Sequence, residues 1–269
     1  MIYGLIGEKL SHSYSPQIHR TFFDITGMKG DYRLFELRND ELEAFLKRAV
    51  RQGYRGLNVT IPYKTEVIPF LKQISTEASH IGAVNTITLN GSLVGYNTDY
   101  FGIDYTFKKN NVELQGKRAL VLGSGGAAKS VVAYLLDSGI ESIFLASRYP
   151  NRVSEDYQLV NMVSYEHISK FIPFDIIVNT TPVGMVPKTG LSPLKPDQLK
   201  GTGFLFDLIY NPAKTEMMNI CDSLGIPSVN GLYMLIAQAV KAQEIWNDES
   251  YGLDMVDAIY KHINACFEN

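Results

Sequence analysis

Two α/β domains with a cleft between them form the fold class that this sequence predicts, and three observations predict it. Strand and helix signals alternate through the first hundred residues, as in a sheet covered by helices. A strand that runs into a glycine turn and then a helix begins only at Arg118, leaving room for a separate domain in front of it. After Gly231 the chain becomes apolar-periodic, the pattern of terminal helices that pack back across the first domain.

The elements follow in order. Residues 2–6 read as a strand, and Ser15-Pro16 as an N-cap and first-turn pair opening a helix through Phe23. Residues 32–37 alternate as a strand does, and Asn39-Asp40-Glu41 starts a helix through Arg51. A short apolar strand covers 56–61, followed by Pro62 and a helix from near Lys64. Strands 86–89 and 93–96 flank Asn90-Gly91, which predicts a two-residue hairpin turn. A helix over 101–110 leads into polar Asn110-Asn111 and Gln115-Gly116-Lys117, a boundary between domains. The predicted ranges are 1–103 plus 236–269 for the first domain and 104–235 for the second. Within the second lie strand Arg118–Leu122, a helix over 127–138, strand Ser142–Ala146, and two buried parallel strands at 175–179 and Phe204–Asp207. Helices at 232–246 and 253–264 close the chain.

Composition narrows the function classes. The 269 residues are 45% hydrophobic and 20% charged, which describes an ordinary globular protein. A net charge of −3 and a pI near 6.0 give no basis for nucleic-acid binding. No apolar run approaches membrane-spanning length, and Met1-Ile2-Tyr3-Gly4 lacks a signal-peptide plan, so no membrane role and a cytoplasmic location are expected. Cys221 and Cys266 have no metal-ligand spacing and are expected to be reduced thiols. His12, His19, His80, His167 and His262 form neither HxxxH nor HExxH, so no metal site is expected.

The glycine turn reads Gly123-Ser124-Gly125-Gly126-Ala127-Ala128, G-x-G-x-x-A between strand and helix. Gly123 lets the chain turn tightly, Gly125 lets backbone N–H groups approach a pyrophosphate, and Ala128 keeps the helix near the strand. The helix N-terminus adds its positive dipole end. A glycine turn can also merely close a strand–helix junction, but strands on both sides favour a Rossmann-type dinucleotide site. An NAD site places an acid at the end of the second strand. This chain has Ser147-Arg148-Tyr149, then Arg152, and no acid until Glu155. Two guanidiniums suit a 2′-phosphate, so NADP is expected over NAD, with a solvated basic turn as the alternative.

Polar residues gather where strands end. Ser11 through Pro16 follow the first strand, Asn58 through Lys64 span the end of the third, Gly82 through Thr86 precede the hairpin, and Asn97-Thr98-Asp99 follow it. Open α/β sheets bind ligands beyond the carboxyl ends of their strands. Hydroxyls, amides, one lysine and one aspartate there suit a small, polyhydroxylated anion. Singly, each has a structural explanation: Ser15 as a cap, Thr60 as a β-former, Asn97-Thr98-Asp99 as a helix start, Lys64 as a surface residue.

These motifs make the sequence similar to the shikimate dehydrogenase family along nearly its whole length. The likeness extends through the glycine turn, Asn179-Thr180-Thr181-Pro182-Val183-Gly184-Met185, Asp207-Leu208-Ile209-Tyr210-Asn211-Pro212 and Gly231 through Gln238. The resemblance implies that Ser13, Ser15, Asn58, Thr60, Lys64, Asn85, Asp99, Tyr210 and Gln238 hold substrate, with Lys64 and Asp99 as the catalytic pair. It implies cofactor contacts from Gly123, Ser124, Gly125, Gly126, Ala127, Ser147, Arg148, Arg152, Thr180, Gly231 and Met234. The implied reaction is NADPH-dependent reduction of 3-dehydroshikimate to shikimate in aromatic amino-acid biosynthesis. The implied partners are small molecules, and a monomer and a homodimer are equally open.

The chemistry suits the residues. Hydride transfer to a ketone builds charge on oxygen, and a lysine can supply the proton. A neighbouring carboxylate favours the ammonium and burial disfavours it, an opposition that sequence leaves open. The chain departs from the family at Tyr100, where Gly is usual, and at Ser147 and Tyr149, which flank the family's arginine. Two other readings are an NAD-dependent quinate/shikimate dehydrogenase, against which Ser15 and the arginines argue, and a non-catalytic nucleotide-binding regulator, against which Lys64 and Asp99 argue.

Overall fold

Twelve strands among the described residues divide equally between two sheets, and the chain order within each sheet explains where polar residues collect. The computed structural model describes residues 1–11, 13–150, 157 and 159–267. The chain divides into two units, Met1–Tyr105 with Leu235–Asn269, and Thr106–Met234.

The first unit runs β1 (Ile2–Gly7), α1 (Ser15–Thr26), β2 (Asp31–Glu36), α2 (Leu42–Arg51), β3 (Gly56–Val59), α3 (Tyr63–Glu66), β4 (Gln73–Ile74), α4 (Thr76–Ile81), β5 (Thr86–Thr88), β6 (Val94–Tyr96) and the start of α5 (Asp99–Lys109). β1 lies between β2 and β3, parallel to both. β5 then pairs antiparallel with β3, so the sheet order is β2-β1-β3-β5-β6-β4. The reversal places Asn58 on β3 directly opposite Thr86 on β5.

Local chemistry sets the element ends. α1 begins with Ser15 already inside it and Tyr14 at the cap, one residue earlier than the expected Ser15 cap. The reason is that the Ser13 hydroxyl accepts the Ser15 N–H and the Ile18 N–H reaches Tyr14 O, which leaves the Ser15 side chain out of the capping role. Gly27, at φ 70°, ends the helix. β3 stops at Val59 rather than 61, because the Tyr63 N–H turns back to Thr60 O and Pro62 has no N–H to give a ladder. The hairpin after β5 also differs from expectation. Thr88 pairs with Val94, so the loop is longer than two residues, with Gly91 at φ 81°. Register is fixed by packing: Ile87 lies opposite Gly95, whose absent side chain leaves room for Leu71 and Val84.

One side of the sheet buries Ile6, Leu57, Val59 and Ile87 beneath α2 residues Leu42, Phe45 and Leu46. Another cluster stacks Tyr3 between Phe23 of α1 and Trp246 of α8 (Leu232–Asn247), with ring centroids 5.7 and 5.0 Å away. The Trp246 indole donates to Ile87 O at 3.0 Å and occupies the space a side chain at position 56 would need, 2.1 Å from the Cβ site. Gly56 is therefore glycine because an indole lies against it. α9 (Gly252–Phe267) completes the unit, its start held by Glu244, which accepts the Tyr251 and Gly252 N–H groups.

The second unit carries β7 (Arg118–Leu122), α6 (Gly126–Asp137), β8 (Ser142–Ala146), β9 (Asn161–Val163), β10 (Ile176–Asn179), β11 (Phe204–Asp207), α7 (Glu216–Ser223) and β12 (Ser228–Val229). Every pair is parallel and the order is β12-β11-β10-β7-β8-β9. Counted from β7, this is the doubly wound order 3-2-1-4-5-6, with its reversal between β7 and β10. Leu120, Leu122, Ile177 and Leu205 pack on one face, while Phe107 meets Tyr134 and Phe206 through ring contacts of 5.8 and 5.6 Å. Burial on both faces accounts for the unbroken apolar strands. No helix among the described residues is long and apolar enough to cross a membrane.

Because the Trp246 ring must shift to admit even a methyl group, Gly56→Ala is expected to cost about 1–3 kcal/mol of stability. Urea unfolding checks this, and a loss under about 0.5 kcal/mol would contradict the packing described.

Candidate active site

In the first unit the sheet reversal gathers one continuous polar network. Lys64, on α3, places Nζ 2.5 Å from Asp99 Oδ2 at the start of α5. Their side chains are 15% and 10% exposed, so the pair is largely withdrawn from water yet reachable. Lys64 is fixed at both ends, because its backbone carbonyl accepts the Val84 N–H at 2.8 Å. Asp99 is fixed too: its second oxygen accepts from Asn85 Nδ2 at 2.9 Å.

Asn85 stands between α4 and β5, where Gly82, at φ 68°, ends α4. Its Oδ1 accepts the Thr98 N–H at 2.7 Å, and the hydroxyls of Thr86 and Thr98 lie 3.1 and 3.2 Å away. Asn58 donates through Nδ2 to Thr86 Oγ1 (3.0 Å) and to Asn85 O (3.3 Å), and its Oδ1 accepts from the Tyr32 hydroxyl at 2.8 Å. Gln238 joins from α8, with Oε1 3.3 Å from Thr98 Oγ1 and Nε2 donating to Leu235 O. Asn97 Oδ1 accepts the Tyr100 N–H, supporting the first turn of α5. Tyr100 itself meets Phe101 edge-on, with centroids 5.9 Å apart.

The remaining residues expected at this site sit at neighbouring strand ends. Thr60 follows β3 and donates its N–H to Ile6 O. Ser13 and Ser15 follow β1, joined by the Ser15 N–H to Ser13 Oγ bond. Ser15 also reaches the network through Tyr32: burial pushes the Tyr32 hydroxyl pKa up, and the Ser15 hydroxyl opposes that shift. Tyr32, Thr86 and Thr98 belong to the network but are not among the residues assigned from sequence, although Thr86 and Thr98 lie inside two of the motifs.

Beneath Tyr32 lies His19, stacked on its ring at 3.9 Å and 13°. Gln243 Nε2 lies 2.8 Å from His19 Nδ1, an arrangement that makes Nδ1 the acceptor and leaves the proton on Nε2. That Nε2 has no hydrogen-bond partner among the described residues. Burial depresses the His19 pKa to about 3, with Asn58 acting weakly the other way.

The second unit carries the glycine turn at its sheet reversal. Gly123 has φ +99°, and a Cβ there would meet Thr180 Oγ1 at 2.8 Å. Thr180 bonds across the reversal, with both N–H and hydroxyl donating to Leu122 O. Gly125 caps α6 without any side-chain cap, no acid occupies the first turn, and a Cβ on Gly125 would meet no atom of the described residues within 4 Å. Ser124, Gly126 and Ala127 complete the turn, which is therefore a set of backbone donors open to an anion. Ser147 directly follows β8, where its hydroxyl accepts the Tyr149 N–H and lies 3.4 Å from Ser124 Oγ. Arg148 stands over the Tyr149 ring at 5.9 Å. Arg152 lies outside the described residues. Gly231 is required by close approach, since a Cβ there would fall 2.0 Å from Leu208 O. Met234 is buried in the first turn of α8. Tyr210 lies on the loop after β11, which Asp207 anchors by accepting from Asn179, Thr215 and the Ile209 N–H.

A doubly wound unit with an uncapped glycine turn, joined in one chain to a mixed α/β unit bearing a lysine–aspartate pair, defines the class of two-domain nicotinamide-dependent dehydrogenases. Comparisons narrow the class. Residues 5–87 match the family profile of the shikimate dehydrogenase substrate binding domain. The shikimate dehydrogenase (NADP(+)) of Clostridium beijerinckii is 43% identical over 269 residues, covering 99% of this chain and 98% of its own. Among solved structures, shikimate dehydrogenase 1 from Peptoclostridium difficile matches at a TM-score of 0.92 and 43% identity over 97% of each chain. Shikimate 5-dehydrogenase from Thermus thermophilus, in complex with NADP(H) and shikimate, matches at a TM-score of 0.87 and 30% identity, covering 97% of this chain and 99% of its own. The chain belongs to the shikimate dehydrogenase family.

Keeping His19 neutral in the fold makes stability pH-dependent. Its folded pKa lies below the ordinary 6.5, so its contribution is intact above that value and declines as pH falls towards about 3. The expected loss is about 1.4 kcal/mol for each pH unit below 6.5. Ring nitrogen shifts measured by NMR should remain those of neutral imidazole down to about pH 5. An inflection near 6.5 would contradict the buried, neutral assignment.

Proposed function

We propose that the chain catalyses the reversible, NADPH-dependent reduction of 3-dehydroshikimate to shikimate, a step of aromatic amino-acid biosynthesis, in the cytoplasm. The observation that supports this reading most strongly is the Lys64–Asp99 contact at 2.5 Å inside a polar network of amides and hydroxyls. When bound, the nicotinamide supplies or takes the hydride at the ring carbon. Lys64 gives its proton to the oxygen left carrying charge, and in the oxidative direction its amine takes that proton back. Asp99 holds the ammonium in place, and the Asn85 bond keeps the carboxylate from rotating away.

Substrate hydroxyls and carboxylate fall to Ser13, Ser15, Asn58, Thr60, Asn85, Gln238 and Tyr210, in addition to the pair. The turn Gly123 to Ala127 at the head of α6 suits the cofactor pyrophosphate, and Thr180, Gly231 and Met234 suit the rest of the dinucleotide. Ser147 follows β8 where an NAD site would carry an acid, and Arg148 stands next to it. With Arg152, these residues suit a 2′-phosphate and support NADP over NAD.

The test is the initial rate of nicotinamide reduction with shikimate or quinate, each with NADP+ or NAD+. The highest kcat/KM is expected for shikimate with NADP+. Faster quinate oxidation with NAD+ would replace this reading, and no turnover with any pair would identify a non-catalytic nucleotide-binding protein. Lys64→Ala should lower kcat by about 10²–10⁴-fold, the usual size of acid catalysis, with much less effect on KM. A kcat within about tenfold of wild type would place the proton donor elsewhere.

A further inference from the structure

Three side-chain amides line the proposed substrate site, and the hydrogen-bond partners around them fix which end of each faces inward. Backbone N–H groups only donate, and carbonyl and carboxylate oxygens only accept, so contacts with them orient an amide without ambiguity. Asn85 Oδ1 must face Thr98 N, and its Nδ2 must face Asp99. Asn58 Nδ2 must face Asn85 O, which turns Asn58 Oδ1 to the Tyr32 hydroxyl. Gln238 Nε2 must face Leu235 O, which turns Gln238 Oε1 to Thr98 Oγ1.

Counting protons then assigns the hydroxyls. Asn85 Oδ1 and Gln238 Oε1 can only accept. The Thr98 N–H and the Thr86 hydroxyl, at 2.7 and 3.1 Å, fill the two lone pairs of Asn85 Oδ1, so the single Thr98 hydroxyl proton goes to Gln238 Oε1. Thr86 in turn donates to Asn85 Oδ1 and accepts from Asn58 Nδ2, with its oxygen 3.1 Å from Thr98 Oγ1. Both threonines are fully buried. Thr98 thus holds Asn85 through its N–H and Gln238 through its hydroxyl. Each of these two amides keeps one N–H hydrogen not used by a protein acceptor among the described residues.

We propose that Thr98 is a positioning residue that turns the Asn85 and Gln238 amides so that both present N–H donors to substrate oxygens. Thr86 supports it from the facing strand. Asn58 differs, since both its hydrogens are used and only its oxygen has capacity left, so it accepts from a substrate hydroxyl. The three amides therefore read two acceptors and one donor on the ligand. This assignment rests on the function proposed above for its substrate, but the orientation of the amides in the ligand-free protein does not.

The test pairs Thr98→Val, which keeps shape and removes the hydroxyl, with Thr98→Ser, which keeps the hydroxyl. Steady-state oxidation of shikimate should show KM for shikimate raised about tenfold in Thr98→Val, with kcat within about threefold and KM for NADP+ unchanged, consistent with loss of one buried hydrogen bond. Thr98→Ser should restore KM to within about twofold. A wild-type KM in Thr98→Val, or equal impairment of both variants, would overturn the proposal. Side-chain amide NMR of the ligand-free proteins gives a second readout that needs no substrate. The Gln238 NH2 signals should exchange slowly in wild type and Thr98→Ser and exchange fast in Thr98→Val. Slow exchange retained in Thr98→Val would overturn the positioning role. Should wild type fail to oxidise shikimate, the functional reading falls while these spectra still decide the orientation.

Discussion

Asn85 ties its amide between the Thr98 N–H and the Asp99 carboxylate, and the proposed chemistry of the first unit depends on that clamp. The carboxylate so held takes the Lys64 ammonium at 2.5 Å. Backbone bonds fix the same segment: Val59 N–H reaches Asn85 O, Asn85 N–H reaches Tyr96 O, and Val84 N–H reaches Lys64 O. Strands β3, β5 and β6 and helix α3 thereby deliver their polar ends to one place. The antiparallel pairing of β5 with β3 makes this possible, since it sets the start of β5 beside the end of β3, Thr86 opposite Asn58.

The second unit depends on a different constraint, the reversal of strand order between β7 and β10. There the loops after both strands open side by side, and a single oxygen, Leu122 O, receives two donors from Thr180. Tight packing of the Thr180 side chain explains Gly123, while no atom of the described residues lies within 4 Å of a Cβ at Gly125. That contrast separates a glycine required by the fold from one whose open space suits a ligand. Asp207 does comparable structural work on the loop carrying Tyr210. Burial raises its pKa, and three donors compensate the carboxylate.

Much of this is legible in the sequence, for identifiable reasons. The strand Arg118–Leu122, the glycine turn and the helix after it carry strong local signals, and their placement follows from them. Strands of two or three residues, such as β4, β9 and β12, have no periodicity to read. The Ser15 cap is displaced by a neighbouring serine with the same chemistry, and the hairpin by a register that Gly95 and Leu71 decide from afar. Lys64, Asp99 and Asn85 stand out through the motifs that contain them. Tyr32, Thr98 and Thr86 do not, because a hydroxyl's role depends on which amide end the fold sets against it. The match of Gly56 to Trp246, 190 positions away, is likewise a property of packing alone.

The central claim is that Lys64 and Asp99 act as one unit in proton transfer. A double-mutant cycle on kcat for shikimate oxidation, using Lys64→Ala, Asp99→Asn and both together, tests it most directly. Strong non-additivity is the predicted result, with the double variant no slower than the slower single variant by more than about threefold. Losses that multiply in the double variant would show two independent contributions and contradict the account.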